Sequence, residues 1–253
     1  MSQDDPNVNS DQSEDGEDAD LRSKEVHALE DIGASVDVDA EGHVRCVVLV
    51  GQLVTDDDLK TLRPVEKTIR RLNLIYTKLT GPGLANLRGM NMLERLDLGA
   101  NIHLQDEGLM YLQTLPSLDM LRVWDTKITD RGLYVVESLP KLRWLYLSGT
   151  AINGAGLVYL KKLPRLRGLD LRATQITDAS MKQLEMLQNL EWIDLSDTQI
   201  NGKGLIYLSQ LPRLKRIHIR HTQIVPRHLK KFRKYQPDCQ INQSEAEAAP
   251  GAS

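Results

Sequence analysis

From Val44 onward the apolar residues recur in a fixed order. The order is clearest over residues 142–165, LRWLYLSGTAINGAGLVYLKKLPR, where Leu142, Leu145, Leu147, Ile152, Leu157, Leu160 and Leu163 keep company with Thr150, Gly156 and Pro164. The same template starts at Val44, Ile69, Leu93, Leu118, Leu166, Leu190 and Leu214. Within each copy the period of the apolar positions changes. Leu145 and Leu147 alternate, as a strand with one buried face requires, whereas Leu157, Leu160 and Leu163 are three apart, the stripe of a short helix. The pattern predicts one strand, one turn and one short helix per copy. One copy cannot bury enough apolar surface to offset the entropy of ordering its backbone, but stacked copies complete each other's core.

A period of 20 to 29 residues built on LxxLxLxx(N/T)xL is a leucine-rich repeat signature. Over roughly residues 44–242 the chain resembles the leucine-rich repeat family. Its ITDxGLxxLxxLP half is similar to the cysteine-containing subtype of F-box substrate adaptors. Thr77, Asn101, Thr126, Thr150, Thr174, Thr198 and Thr222 stand where that subtype has Cys, and no F-box-like helical segment precedes the repeats. The resemblance implies an α/β fold, a right-handed horseshoe solenoid with a parallel β-sheet on its concave face and short helices on its convex face. It also implies a non-catalytic protein-protein interaction module with a protein or peptide partner.

Both ends of the array differ from its middle. Residues 1–20 carry eight acidic residues and no Lys or Arg, which predicts a disordered tail. Residues 21–43 read as an N-terminal cap, a helix ended by Gly33 and then one arm of a hairpin whose second arm is the first repeat strand. Repeats one to seven occupy 44–213. Residues 214–242 hold the last repeat and a basic C-terminal cap with Leu229 and Phe232 turned inward, and 243–253 form a loose tail. Within the repeats, the Thr after each strand is placed to satisfy backbone groups in the turn. Thr129, Asp130, Thr177 and Asp178 are placed to cap the helix that follows them.

Composition narrows the functional classes. The net charge of -3 gives no overall bias toward nucleic acid or anionic membranes. No apolar run is long enough to span a bilayer, and the acidic N-terminus is the opposite of a signal peptide, so a cytoplasmic location is expected. Cys46 and Cys239 lie at opposite ends of the array, beyond disulfide reach, and reduced thiols are expected. No cofactor or metal motif is present, the Gly pairs before the helices lack the remainder of a nucleotide-binding loop, and a monomer is expected.

Strand positions that alternate with the buried leucines point away from the core. All three tryptophans, Trp124, Trp144 and Trp192, fall there. Aromatic and Arg side chains on such a face have the composition of an interface centre. The candidate partner-binding set is Trp124, Trp144, Tyr146 and Trp192 as anchors, with Arg122, Asp125, Arg172 and Asp194 setting charge register. Trp144, Gly168 and Trp192 follow one another down one column. With strands about 4.8 Å apart, two indoles flanking a Gly would leave a slot for one flat group, or would fold over the Gly themselves.

Two further candidates remain. Asp170 and Asp194 are column neighbours with His218 next in line, the ingredients of acid-base or metal chemistry. An open face is expected to give no desolvation that would raise either pKa, and Arg172 and Arg220 are near enough to pair with them. From Lys203 to Asn242 there are ten Lys or Arg against the single acid Asp238. That basic end, with Arg216, Arg220, Lys230, Lys231, Arg233 and Lys234, suggests an alternative function, an electrostatic regulator holding an acidic protein or nucleic acid. Nucleic acid is disfavoured on the central face, where Asp97, Asp125, Asp170, Asp194 and Asp197 would repel phosphate.

Overall fold

The computed structural model describes residues 24–243. Ten strands form one sheet in strict sequence order. Strand β1 (Ser35–Val38) pairs antiparallel with β2 (Val44–Val48). The rest are parallel: β3 (Arg71–Asn73), β4 (Arg95–Asp97), β5 (Met120–Arg122), β6 (Trp144–Tyr146), β7 (Gly168–Asp170), β8 (Trp192–Asp194), β9 (Arg216–His218) and β10 (Gln240–Asn242). The leucine-rich pattern fixes the register. Leu72, Leu96, Leu121, Leu145, Leu169, Ile193 and Ile217 stand opposite one another on successive strands, and all are buried.

A common turn ends strands β2 to β9. The residue three places after the last residue of each strand adopts a left-handed backbone, with φ from 49° to 58° at Tyr76, Ala100, Asp125, Ala173, Asp197 and His221, and Gly51 and Gly149 at the equivalent places. Non-Gly residues pay roughly 1–2 kcal/mol for that conformation. Stacking holds it in place, because the turn amide still donates to the next repeat, as in Ala100 N to Trp124 O at 2.7 Å and Asp197 N to Arg220 O at 2.8 Å. The Thr one residue later closes the turn as expected. The hydroxyls of Thr126, Thr174 and Thr198 each donate to the carbonyl three residues back at 2.6 Å. Asn101 does the same work across two repeats, its Nδ2 donating at 2.8 Å to both Leu98 O and Leu74 O.

The helix stripe is spaced by threes, which matches three residues per turn better than 3.6. Accordingly six helical segments, including Gly132–Ser138 and Ala155–Lys162, are 3-10 helices. True α-helix appears at α1 (24–31), α2 (Asp106–Leu109), α3 (Leu205–Leu208) and the longer α4 (Pro226–Tyr235).

The capping expected within a repeat is made between repeats instead. From Asp58–Val65 to Pro226–Tyr235, none of the helices is capped by the side chain of its own N-cap residue. Asp130 accepts from the amides of Asn153, Gly154 and Gly156 at 2.9, 3.0 and 2.6 Å, and Asp178 from Asn201 and Gly204 at 2.7 and 2.6 Å. Asp106 serves Thr129, and Asp56 serves Gly81 and Gly83. The second Gly of the motif is small for this reason: a Cβ at Gly156 would lie 2.5 Å from the Asp130 carbonyl oxygen. A carboxylate that reaches forward one repeat joins neighbouring units while meeting otherwise orphan amides.

The ends are closed by different means. Helix α1 contributes Leu29 to the core, and β1 covers the free edge of β2. At the other end α4 buries Phe232 against the last repeat, and β10 covers β9. Both cysteines are free. Among the described residues no helix is long and apolar enough to cross a membrane.

Candidate functional site on the sheet face

Outward direction on the sheet does not mean exposure. Trp192 points away from the leucine core yet is 2% exposed, and Tyr146 is 6% exposed. With Met120 they form a second apolar cluster on top of the sheet, against which Trp144 packs. The Tyr146 and Trp192 rings lie 6.1 Å apart, His218 meets Trp192 edge-on at 5.7 Å, and the Arg122 guanidinium sits 4.9 Å above Tyr146. Arg122 is itself tied to Asp97 at 3.2 Å.

The expected slot is therefore filled. The Trp144 ring lies over Gly168, and any Cβ there would overlap the indole. Trp124 treats Gly99 the same way and stands edge-on to Tyr76 at 5.7 Å. Of the four proposed anchors, Tyr146 and Trp192 are closed off in this conformation, as is Asp194 at 6% exposure. Trp124 and Trp144 stay half-exposed, and Asp125 and Arg172 are exposed.

The aspartates have a local duty that the sequence reading missed. Asp170 accepts from Arg172 N at 2.9 Å and Asp194 from Ser196 N at 2.8 Å. Asp97 does so with Gly99 N, and Asn73 with Ile75 N. Each fastens the end of its strand in an Asx-type turn. The signal was legible as Asn or Asp recurring at the last position of a strand.

Their titration also departs from expectation. Burial, with Asp194's charge beside it, raises the Asp170 carboxyl to about 6. Burial pushes Asp194 the same way, but hydrogen bonds from His218 and Ser196 outweigh it and hold that carboxyl below its usual range. The aromatic cluster supplies the desolvation that an open face would have lacked. Arg172 does not pair with either acid. It binds Asp197 at 2.8 Å, and His221 reaches the same carboxylate at 2.7 Å. Buried Trp192 Nε1 and His218 Nε2 have no hydrogen-bond partner.

The sheet face leaves a hollow of about 440 Å³ beside Trp144 and Trp192, lined also by Glu191, Lys215, Arg216, Asp238 and Gln240, and a smaller one of about 170 Å³ between Cys46 and Arg122. Arg216 reaches Gln240 at 3.0 Å, and Lys215 binds Glu191 at 2.7 Å. At the basic end, Lys230, Lys231, Arg233 and Lys234 project from α4 and are exposed, whereas Arg220 is half-buried beneath the aspartate rows. Among the described residues, Asp39, Glu41 and His43 lie close enough together to share a cation. Asp39, however, already fastens its turn through the amides of Glu41 and His43, and binds Arg45 at 2.6 Å.

Residues 164–224 match the family model described as Leucine rich repeat. Internalin C2 from Listeria monocytogenes has the same fold, with a TM-score of 0.59 at 23% identity, covering 73% of this chain and 74% of that one. No curated protein matches the chain. With the strand register, the turn and the threonine row already described, these likenesses show a leucine-rich repeat fold. Stacked repeats of this kind commonly serve as protein-protein interaction modules.

Proposed function

We propose that the chain is a non-catalytic, monomeric, cytoplasmic module that binds a protein or peptide on its sheet face. The observation that carries this reading is Trp144. One face of its indole covers Gly168, while its edge borders the hollow it shares with Trp192 and Arg216. A rigid aromatic beside an open hollow whose rim carries Lys215 and Arg216 against Glu191 and Asp238 suits an apolar side chain with polar neighbours. The buried members of the candidate set hold Trp144's surroundings rigid: Trp192, Tyr146 and Arg122 pre-organise the site, and Asp194 anchors His218 beneath it.

A peptide-display selection against the immobilised full chain tests the reading, with selected peptides titrated against wild type and a Trp144→Ala variant of unchanged fold. Trp144→Ala is expected to weaken binding at least ten-fold while the far-ultraviolet spectrum is unchanged. Peptides that bind the variant as tightly as wild type would overturn it.

The alternative is capture of an acidic protein or nucleic acid by the basic end. It is favoured by one fact: among the described residues no cation of α4 closes an ion pair. Binding there should fall steeply as salt rises, whereas binding on Trp144 should tolerate it.

A further inference from the structure

The repeat carries two rows of charge that lie neither on the sheet face nor on the helices. They flank the first leucine of each copy, along the edge where the strands begin. In sequence they appear as LPSLD, LPKLR, LPRLR, LQNLE and LPRLK at 115–119, 139–143, 163–167, 187–191 and 211–215. The residue after that leucine forms a row running Glu94, Asp119, Arg143, Arg167, Glu191 and Lys215. This row neutralises itself. Asp119 is bound by Arg143, Nη2 to Oδ2 at 2.6 Å, and Glu191 takes Lys215 at 2.7 Å and Arg167 at 3.6 Å.

The residue before that leucine forms a second row with a different outcome. It runs Ser117, Lys141, Arg165, Asn189 and Arg213, and it contains no carboxylate. Lys141 reaches only the Ser117 hydroxyl, at 3.3 Å. Arg165 and Arg213 close no ion pair among the described residues, and Arg213 acts on Glu191 through its field alone. All three cations are exposed. Between the rows lies a groove of about 630 Å³ with five cations and two carboxylates in its lining.

We propose that this edge groove is a docking surface for an acidic segment of a partner protein, held by Lys141, Arg165 and Arg213. Charge complementarity carries the choice of partner. The groove offers positive charge in excess, presented by guanidinium groups whose planar forks match carboxylates. Its cations are separated by about one and two strand spacings, near 5 and 10 Å, a span that two or three carboxylates of one short segment cover. A nucleic-acid backbone fits less well, because a continuous line of phosphates would be driven against Glu94 and Asp119. The surface is separate from the hollow beside Trp144, and the proposal stands whether or not that hollow binds a peptide.

A fluorescently labelled twelve-residue peptide of alternating Glu and Gly is the probe, read by anisotropy at low and physiological salt. Residues 1–20 carry eight acids on the same chain, and a tethered acidic segment has a high effective concentration against any probe. The titration therefore uses the full chain and a full-length form with those acids changed to Asn or Gln. Binding is expected in the second form at least. It should weaken ten-fold or more in Lys141→Gln/Arg165→Gln/Arg213→Gln and hold within two-fold in Lys230→Gln/Lys231→Gln and in Trp144→Ala. The Gln variant keeps an unbranched polar side chain at exposed sites, so an unchanged melt separates lost charge from lost fold. No binding in either form, equal loss in the α4 variant, or an oligonucleotide of equal charge binding more tightly than the peptide would each overturn the proposal.

Discussion

The third position of the repeat has two fates along one sheet. In repeats two and three it is Arg71 and Arg95, both exposed. In repeats four to seven it is Met120, Trp144, Gly168 and Trp192, which close over one another until Trp192 retains 2% of its surface. The backbone register is the same throughout. The difference arises from side-chain size on adjacent strands: a ring next to glycine lies flat along the sheet, whereas two neighbouring arginines stand up into water and apart. The closed half gains a dry second layer that shifts the carboxyls beneath it. The open half keeps its arginines exposed, with Arg71 paired to Asp37 at 3.4 Å.

The sharpest way to break this comparison is to remove the ring that closes the second layer. Trp192→Ala is expected to cost about 3–5 kcal/mol in chemical denaturation, as for other buried aromatic truncations. A loss below about 1 kcal/mol would mean that the cluster is ordinary surface and that the two halves do not differ energetically.

A smaller effect of opposite sign is expected from Asp170→Asn. The Asp170 carboxyl is raised on folding from its ordinary value near 3.8 to about 6. Its contribution to stability is therefore fully present at acid pH, below the unfolded value, and is lost as pH rises through about 6. The Asn side chain keeps the turn acceptor, as Asn73 already does in repeat two. The variant should gain on the order of 1–3 kcal/mol at pH 7, and the gain should shrink toward pH 4. Wild type and variant differing equally at pH 4 and pH 7 would place Asp170 in solvent.

The smallest expected effect belongs to the open half. Arg95→Ala, at the position equivalent to Trp192, should change stability by no more than about 0.5 kcal/mol. A larger loss would show that the open half also has a second layer.

Much of this was legible along the chain. The strand and helix of each copy, the register of the sheet and the threonine row follow from spacing, because a repeat leaves each unit only one neighbour to pack against. The aspartates were misread for a physical reason. Asp130 and Asp178 look like caps of the helices beside them in sequence, but the stacked repeat places another helix start closer to their oxygens. Asp170 and Asp194 look like a pair available for chemistry, but each is already committed to its strand-end turn. The two edge rows were visible as LPKLR, LPRLR and LPRLK, and were passed over because they lie outside the columns that alternate with leucine.

The amino-acid sequence by itself determined the repeat, its order in space and the direction of every strand side chain, since period two and period three admit one arrangement when copies stack. It did not determine which outward side chains meet water. That was decided by contacts between residues about 24 positions apart, where Trp144 found Gly168 and His218 found Asp194, and where Asp119 and Glu191 satisfied one row of arginines and left the next row unpaired. Direction is a property of the local backbone, whereas exposure and charge balance belong to the neighbours that only stacking brings together.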